Sequence, residues 1–225
     1  MRYRPPRVRN LYDPKSSKPF KLSRTRLDRF LECPRCFYLD RRLGVDRPPG
    51  FPFNLNSAVD ALLKTEFDIY REQKIPHPVY MTPHGIDAVP FQHPNLDDWR
   101  NNFKGVQYLH APTNLLIHGA LDDVWRTPTN ELIVVDYKAT SKNTPVSLDA
   151  AWQRGYKRQV EIYQWLLRRN DFDVTDTAYF IYCNGDRRRA AFAQQLHFDV
   201  SVLPYIGSDD WINEAIHAAH SCLQA

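Results

Sequence analysis

The 225-residue chain reads as an α/β protein, a central mixed β-sheet flanked by helices with a helical segment at its N-terminal end. Three features predict this. Helical and alternating apolar patterns follow one another in the order helix, three strands, helix, two strands, helix. The segment Leu132–Lys138 is apolar on both alternating sets (Leu132 and Val134, then Ile133, Val135 and Tyr137), as a central strand covered on both faces should be. Finally, 43% hydrophobic and 25% charged residues make an ordinary globular composition that excludes a largely disordered chain.

The elements follow from local chemistry. Residues 1–20 are rich in Arg, Pro and Ser without apolar period, and read as a basic extended arm; residues 21–225 form the domain, with a core over about 55–198. Ser23 can cap a helix carrying Leu27, Phe30 and Leu31. Cys33-Pro34 interrupts it, and Pro34 suits the first turn of a second short helix ending at Gly44. Asn56 or Ser57 starts an amphipathic helix to about Gln73, with Val59, Leu62, Leu63, Phe67 and Tyr70 on one stripe. Five prolines within residues 75–94 predict a surface excursion. A short helix over Leu96–Phe103 precedes strands at Val106–His110, Leu115–Trp125 and Glu131–Ala139. A long helix spans Leu148–Arg168. Strands at Thr177–Cys183 and Ala190–Phe198 flank an Asn184-Gly185-Asp186 turn, and Leu203–Leu223 is the last helix.

Charge is unevenly spread. Residues 1–18 carry +5 (Arg2, Arg4, Arg7, Arg9, Lys15 and Lys18 against Asp13), residues 19–47 carry +4, and the other 178 carry −5. A basic end on an acidic body suits a polyanionic partner. No apolar run approaches the roughly 18 residues of a membrane span, and no secretory leader is visible, so the four cysteines are expected as reduced thiols in a cytoplasmic setting without membrane contact.

The strand residues carry the chemistry. Asp136 and Lys138 share a face of Leu132–Lys138. Asp122 shares a face with Ala120 and Val124. If the turn-like Thr127–Asn130 joins the two strands as a hairpin, Asp122 and Asp136 converge, and two adjacent carboxylates need a cation between them. Hard oxygen ligands favour Mg²⁺ or Mn²⁺. Taken singly, each is equally a structural strand acid. Gln159 lies within the apolar stripe of the long helix, four residues before Tyr163, and a buried glutamine needs partners.

Gly119–Asp122, then Asp136-Tyr137-Lys138, then Gln159–Tyr163 form an ordered set on strand, strand and helix. In this it resembles the PD-(D/E)XK nuclease superfamily, in its RecB-like branch that includes CRISPR-associated exonucleases. Residues 23–44 are similar to the helical segment that opens that branch. The resemblance implies a restriction-endonuclease-like core and a metal-dependent hydrolase of DNA phosphodiesters, exo- or endonucleolytic, in repair or recombination, with a larger DNA-processing complex as a candidate partner. It implies that Asp122 and Asp136 bind the metal with a backbone carbonyl near Tyr137. Lys138 would orient or deprotonate the attacking water. Gln159 and Tyr163 would hold water or DNA backbone. Thr140 and Ser141 would donate to a phosphate, and Arg2, Arg4, Arg7 and Arg9 would add contacts from the arm.

Two departures stand out. Relatives usually carry a histidine ligand on the helix before the first core strand; here the matching residue is Asp60, either a plain helix N-terminal acid favoured by the dipole or an oxygen ligand that would harden the site. Some relatives bind an iron–sulfur cluster through one early and three late cysteines. This chain has Cys33 and Cys36, then Cys183 and Cys222, so no cluster is expected and structural thiols are preferred. Two other readings stay open: a nucleic-acid-binding module on a nuclease-like fold that does not cut, and an α/β interaction protein with a structural Asp–Lys pair.

Overall fold

The computed structural model describes residues 5–48 and 54–225. Arg2 and Arg4 lie outside them. In chain order the elements are β1 (Phe20–Ser23), α1 (Arg24–Glu32), α2 (Pro34–Leu43), α3 (Asn54–Gln73), β2 (Val89–Pro90), α4 (Leu96–Arg100), β3 (Val106–His110), β4 (Leu115–Gly119), β5 (Asp123–Arg126), β6 (Leu132–Thr140), α5 (Arg154–Arg168), β7 (Thr177–Gly185), β8 (Phe198–Ile206) and α6 (Ile212–Gln224). The expected α/β class with mixed pairing is found. The expected single sheet is instead two: β1-β4-β3, and β2-β5-β6-β7-β8. β6 runs antiparallel to β5 and parallel to β7, at the centre of the larger sheet.

The split falls inside the strand expected over Leu115–Trp125. After Gly119 the chain leaves the small sheet. The Leu121 N–H donates to the Trp99 carbonyl at 2.9 Å, and Leu121 is fully buried. At Asp123 the chain enters the large sheet. Asp122 therefore belongs to neither ladder.

Both faces of β6 are covered. On one, Leu132 and Val134 pack with Leu27, Phe37, Leu121, Val160 and Ile216, joining α1, α2, α5 and α6. On the other, Ile133, Val135 and Tyr137 pack with Val59, Leu63, Phe67 and Trp125. Residues 75–94 are not the expected excursion. Met81 and His77 are fully buried, and the Phe67 ring lies 4.8 Å from His77 and 5.6 Å from Trp125. The prolines shape a cover over this second core instead of a solvated loop. Among the described residues no helix is long and apolar enough to cross a membrane.

Further along, the expected boundaries move. The long helix begins at Arg154, after a 3₁₀ turn at Ala151–Gln153. β7 runs on through Asn184 and Gly185, so the expected turn is strand. The strand expected over Ala190–Phe198 lies instead at Phe198–Ile206, and the last helix starts at Ile212.

The basic segment is extended yet docked. Tyr12 is buried edge-on against Phe20, and the Arg7 N–H donates to the Gly44 carbonyl at 2.9 Å. Gly44 closes α2 in the left-handed region (φ 72°), and a side chain there would overlap the Arg7 backbone. Arg7, Arg26, Arg29 and Arg41 all pair with the fully buried Asp40, at 2.7–3.1 Å. Arg7 is thus engaged in a structural ion cluster; Arg9 is exposed.

Candidate active site

Antiparallel pairing of Asp123 with Val135 brings Asp122, one step further on, beside Asp136. The Tyr137 N–H donates to Asp122 Oδ2 at 2.9 Å, holding that carboxylate against β6. Asp136 is fully buried. Its Oδ2 is ion-paired with Lys138, and its Oδ1 has no hydrogen-bond partner. Burial first, and then the Asp136 charge, push the Asp122 carboxyl up to about 6, against Lys138, Lys64 and the Tyr137 N–H. Burial disfavours the Lys138 ammonium, but Asp136 and Asp122 outweigh it and hold its pKa above the ordinary value.

Lys138 Nζ also donates to Gln159 Oε1 at 3.3 Å, and Gln159 Nε2 donates to the Tyr163 hydroxyl at 3.1 Å. This explains the glutamine on a buried stripe: it links the lysine to the tyrosine. Gly119 completes the unit. A Cβ there would lie 2.6 Å from Tyr163 Cε1, so the ring fits only against a glycine.

Asp60 faces the same cleft from α3 but does not join the other carboxylates directly. Lys64 stands between them, 2.8 Å from Asp60 Oδ2 and 3.7 Å from Asp122 Oδ1. Burial raises the Asp60 pKa against the pull of Lys64. Among the described residues no group of three or more His, Cys, Asp or Glu side chains is arranged to hold a metal ion. The oxygen set at the centre is therefore Asp122, Asp136 and nearby backbone. The Tyr137 side chain turns to the far face, where its hydroxyl donates to Asp123 Oδ2 at 2.8 Å. Ser141 Oγ donates to the Gly185 carbonyl at 2.9 Å, tying the end of β6 to β7, and Thr140 pairs with Asn184. Arg7 and Arg9 are not among the residues lining the cleft.

The cleft holds about 370 Å³ and is also lined by Arg24, Lys64 and Arg100. Sequence reasoning did not single these out. Lys64 was visible as the i+4 partner of Asp60; Arg24 and Arg100 carry no motif. The Arg24 guanidinium lies 5.9 Å from the Tyr163 ring centroid. Arg100 belongs also to a buried network: Asp123 Oδ1 accepts from Arg71 at 2.5 Å and from Arg100 at 3.2 Å. Adjacent Asp122 and Asp123 thus do different work on opposite faces.

The cysteines do not meet as a group of four. Cys33 and Cys36 open α2, and the Cys222 thiol donates to the Pro34 carbonyl at 3.8 Å. Cys183 lies in β7 in the second core, where burial pushes its thiol up to about 11. It alone of the four is buried; the others, expected as buried structural thiols, are half-exposed.

A family model of the PD-(D/E)XK nuclease superfamily matches residues 54–203, from α3 into β8. No curated protein matches the chain. Among solved structures, one titled "Crystal structure of SSO0001" is 14% identical, covering 95% of this chain and 79% of that one at a TM-score of 0.39. The matched span contains both carboxylates, the lysine and the Gln159–Tyr163 pair, and on it the chain belongs to the PD-(D/E)XK nuclease superfamily.

Proposed function

We propose that the protein is a Mg²⁺- or Mn²⁺-dependent nuclease of the RecB-like kind, hydrolysing phosphodiester bonds of DNA. One observation carries this reading: Asp136, fully buried with only the Lys138 ammonium against its Oδ2 and nothing on its Oδ1, stands beside Asp122, which lines a cleft ringed by cationic side chains. Buried neighbouring carboxylates are costly unless a cation neutralises them. The donor set therefore fits a hard divalent ion. Asp122 and Asp136 would hold it with the Tyr137 backbone carbonyl, and Asp60 is the candidate further ligand. When bound, such an ion supplies Lewis acidity and a water of lowered pKa.

The chain's own groups do the rest. Lys138, held charged by Asp136, offsets negative charge building on the phosphate and orients a water nucleophile. Gln159 fixes the direction of that ammonium. The Tyr163 hydroxyl accepts from Gln159 and keeps its own proton for a phosphate oxygen. Arg24, Lys64 and Arg100 attract the strand backbone without reading its sequence.

The test is cleavage of labelled linear, circular and single-stranded DNA, and of RNA, with Mg²⁺, Mn²⁺ or EDTA. We expect metal-dependent cutting that Asp136→Ala and Lys138→Ala abolish while the circular dichroism spectrum is kept. Cutting of the circle separates endonuclease from exonuclease. Undiminished cutting by Asp136→Ala overturns the assignment. A second reading, a module that binds nucleic acid without cutting, is favoured by the Lys138–Asp136 and Lys64–Asp60 pairs, which neutralise carboxylates with no ion. Salt-sensitive binding without cleavage in either metal would establish it. No binding even at low salt would leave the interaction-protein reading.

A further inference from the structure

We propose that Trp152 and Tyr156 form a stacking track that receives the unpaired bases of a single nucleic-acid strand and leads it to the Asp122–Asp136 cleft. The proposal rests on the nuclease reading for its endpoint, and it adds the form of substrate and the residues that select it.

Trp152 is 57% exposed, whereas Trp99, Trp125 and Trp165 are at most 6% exposed. A large aromatic left in water beside a functional cleft calls for a partner. Nor is it loose. It sits on the 3₁₀ turn Ala151–Gln153, whose buried Gln153 accepts from the Ala150 N–H at 2.9 Å and donates to the Ser147 carbonyl. The platform is thus built ahead of any ligand.

Its neighbours set a direction. The Trp152 and Tyr156 rings meet edge to face, 5.5 Å between centroids at 84°. Lys138 Nζ lies 4.6 Å from the Tyr156 centroid, so the inner end of the track is the lysine of the Asp-x-Lys motif. Lys142 Nζ lies 5.1 Å from the Trp152 centroid at the outer end. The order is ammonium, ring, ring, ammonium: two aromatic surfaces for bases, bracketed by charges for the backbone phosphates of one strand. Lys142 is itself anchored: its N–H donates to Asn184 Oδ1 at 2.7 Å, and its carbonyl accepts from Asn184 Nδ2 at 3.1 Å. A duplex keeps its base faces stacked inside and offers an indole nothing to stack on, so the track selects an unpaired strand.

The experiment is titration of Trp fluorescence with an oligothymidylate in EDTA, where nothing is cut, with a relaxed closed-circular duplex as competitor. Wild-type emission should be quenched. Trp152→Ala should weaken binding by about 10-fold, the stacking of about one base, and Trp152→Phe should restore most of it, with melting temperatures confirming that both variants fold. Unchanged affinity in Trp152→Ala, or a duplex that competes as well as the single strand, overturns the proposal. Trp152-dependent binding by a protein that cuts nothing in Mn²⁺ would retire the nuclease reading and keep the track. Metal-dependent cutting of duplex with no Trp152 response would do the reverse.

Discussion

Replacing Gly119 by alanine adds a single methyl group where the Tyr163 ring already sits. The new carbon would lie 2.6 Å from Cε1 and 3.1 Å from Cδ1, whereas carbons rest at about 3.5–4.0 Å. The ring must therefore retreat by about 1 Å, and at 2% exposure it is enclosed by other core side chains. Overpacking of this kind costs about 1–3 kcal/mol, and the stiffer unfolded chain returns about 0.4–1 kcal/mol, for a net loss of about 1–2 kcal/mol. For a chain of this length that lowers the melting temperature by about 2–8 °C. The larger effect is chemical. Moving the hydroxyl breaks the 3.1 Å bond from Gln159 and frees the lysine that Gln159 directs, and a misplacement near 1 Å costs about 100-fold in rate. Thermal melting and single-turnover cleavage at saturating Mn²⁺ measure the two effects separately. In a Tyr163→Leu background the same methyl should cost under about 0.5 kcal/mol, because the clash is gone. Wild-type melting and rate in Gly119→Ala, or an equal cost in both backgrounds, would refute the account.

Asp122 and Asp123 should respond oppositely: Asp123→Ala takes the buried acceptor from Arg71 and Arg100, leaving them only Asp68, and should cost about 3 kcal/mol in urea denaturation, while Asp122→Asn relieves repulsion and should raise stability as it removes cleavage. His118, whose pKa burial pushes down to about 4, is neutral in the fold but protonates in the unfolded chain from about pH 6.5 downward. Stability should therefore fall by up to about 3 kcal/mol as pH drops from 6.5 to 4, and then stop falling on this account; melting of His118→Phe should show a shallower acid limb, and an unaltered limb would remove His118 as its source. Asp60→Ala should weaken Mn²⁺ affinity by calorimetry if Asp60 is a ligand, whereas wild-type affinity would confine the site to Asp122 and Asp136.

What could be read in advance was local and periodic. Two-faced burial of Leu132–Val135, the β5–β6 hairpin and the single face shared by Asp136 and Lys138 follow from the two-residue repeat of a strand. Distance in the chain hid the rest. The break after Gly119 depends on Trp99, twenty-odd residues earlier and packed elsewhere in the pattern. Pro204 is unfavourable in a central strand, yet β8 is the edge of its sheet, where a proline is tolerated. Lys64, Arg24 and Arg100 reach the cleft from three helices at unrelated spacings, so no motif could gather them.

The two central carboxylates stand on different footings. Asp136 rides on a strand bonded on both sides, while Asp122 sits on the short span where the chain crosses from one sheet to the other. One is placed by the sheet itself, the other by a crossing tied to β6 through the Tyr137 N–H. That crossing is also held from outside the cleft, by the Trp99 carbonyl that accepts from Leu121. Substitutions around α4 can therefore shift Asp122 relative to Asp136 without touching the ladders of the sheet, and on the proposed metal reading such shifts should alter the choice between Mg²⁺ and Mn²⁺.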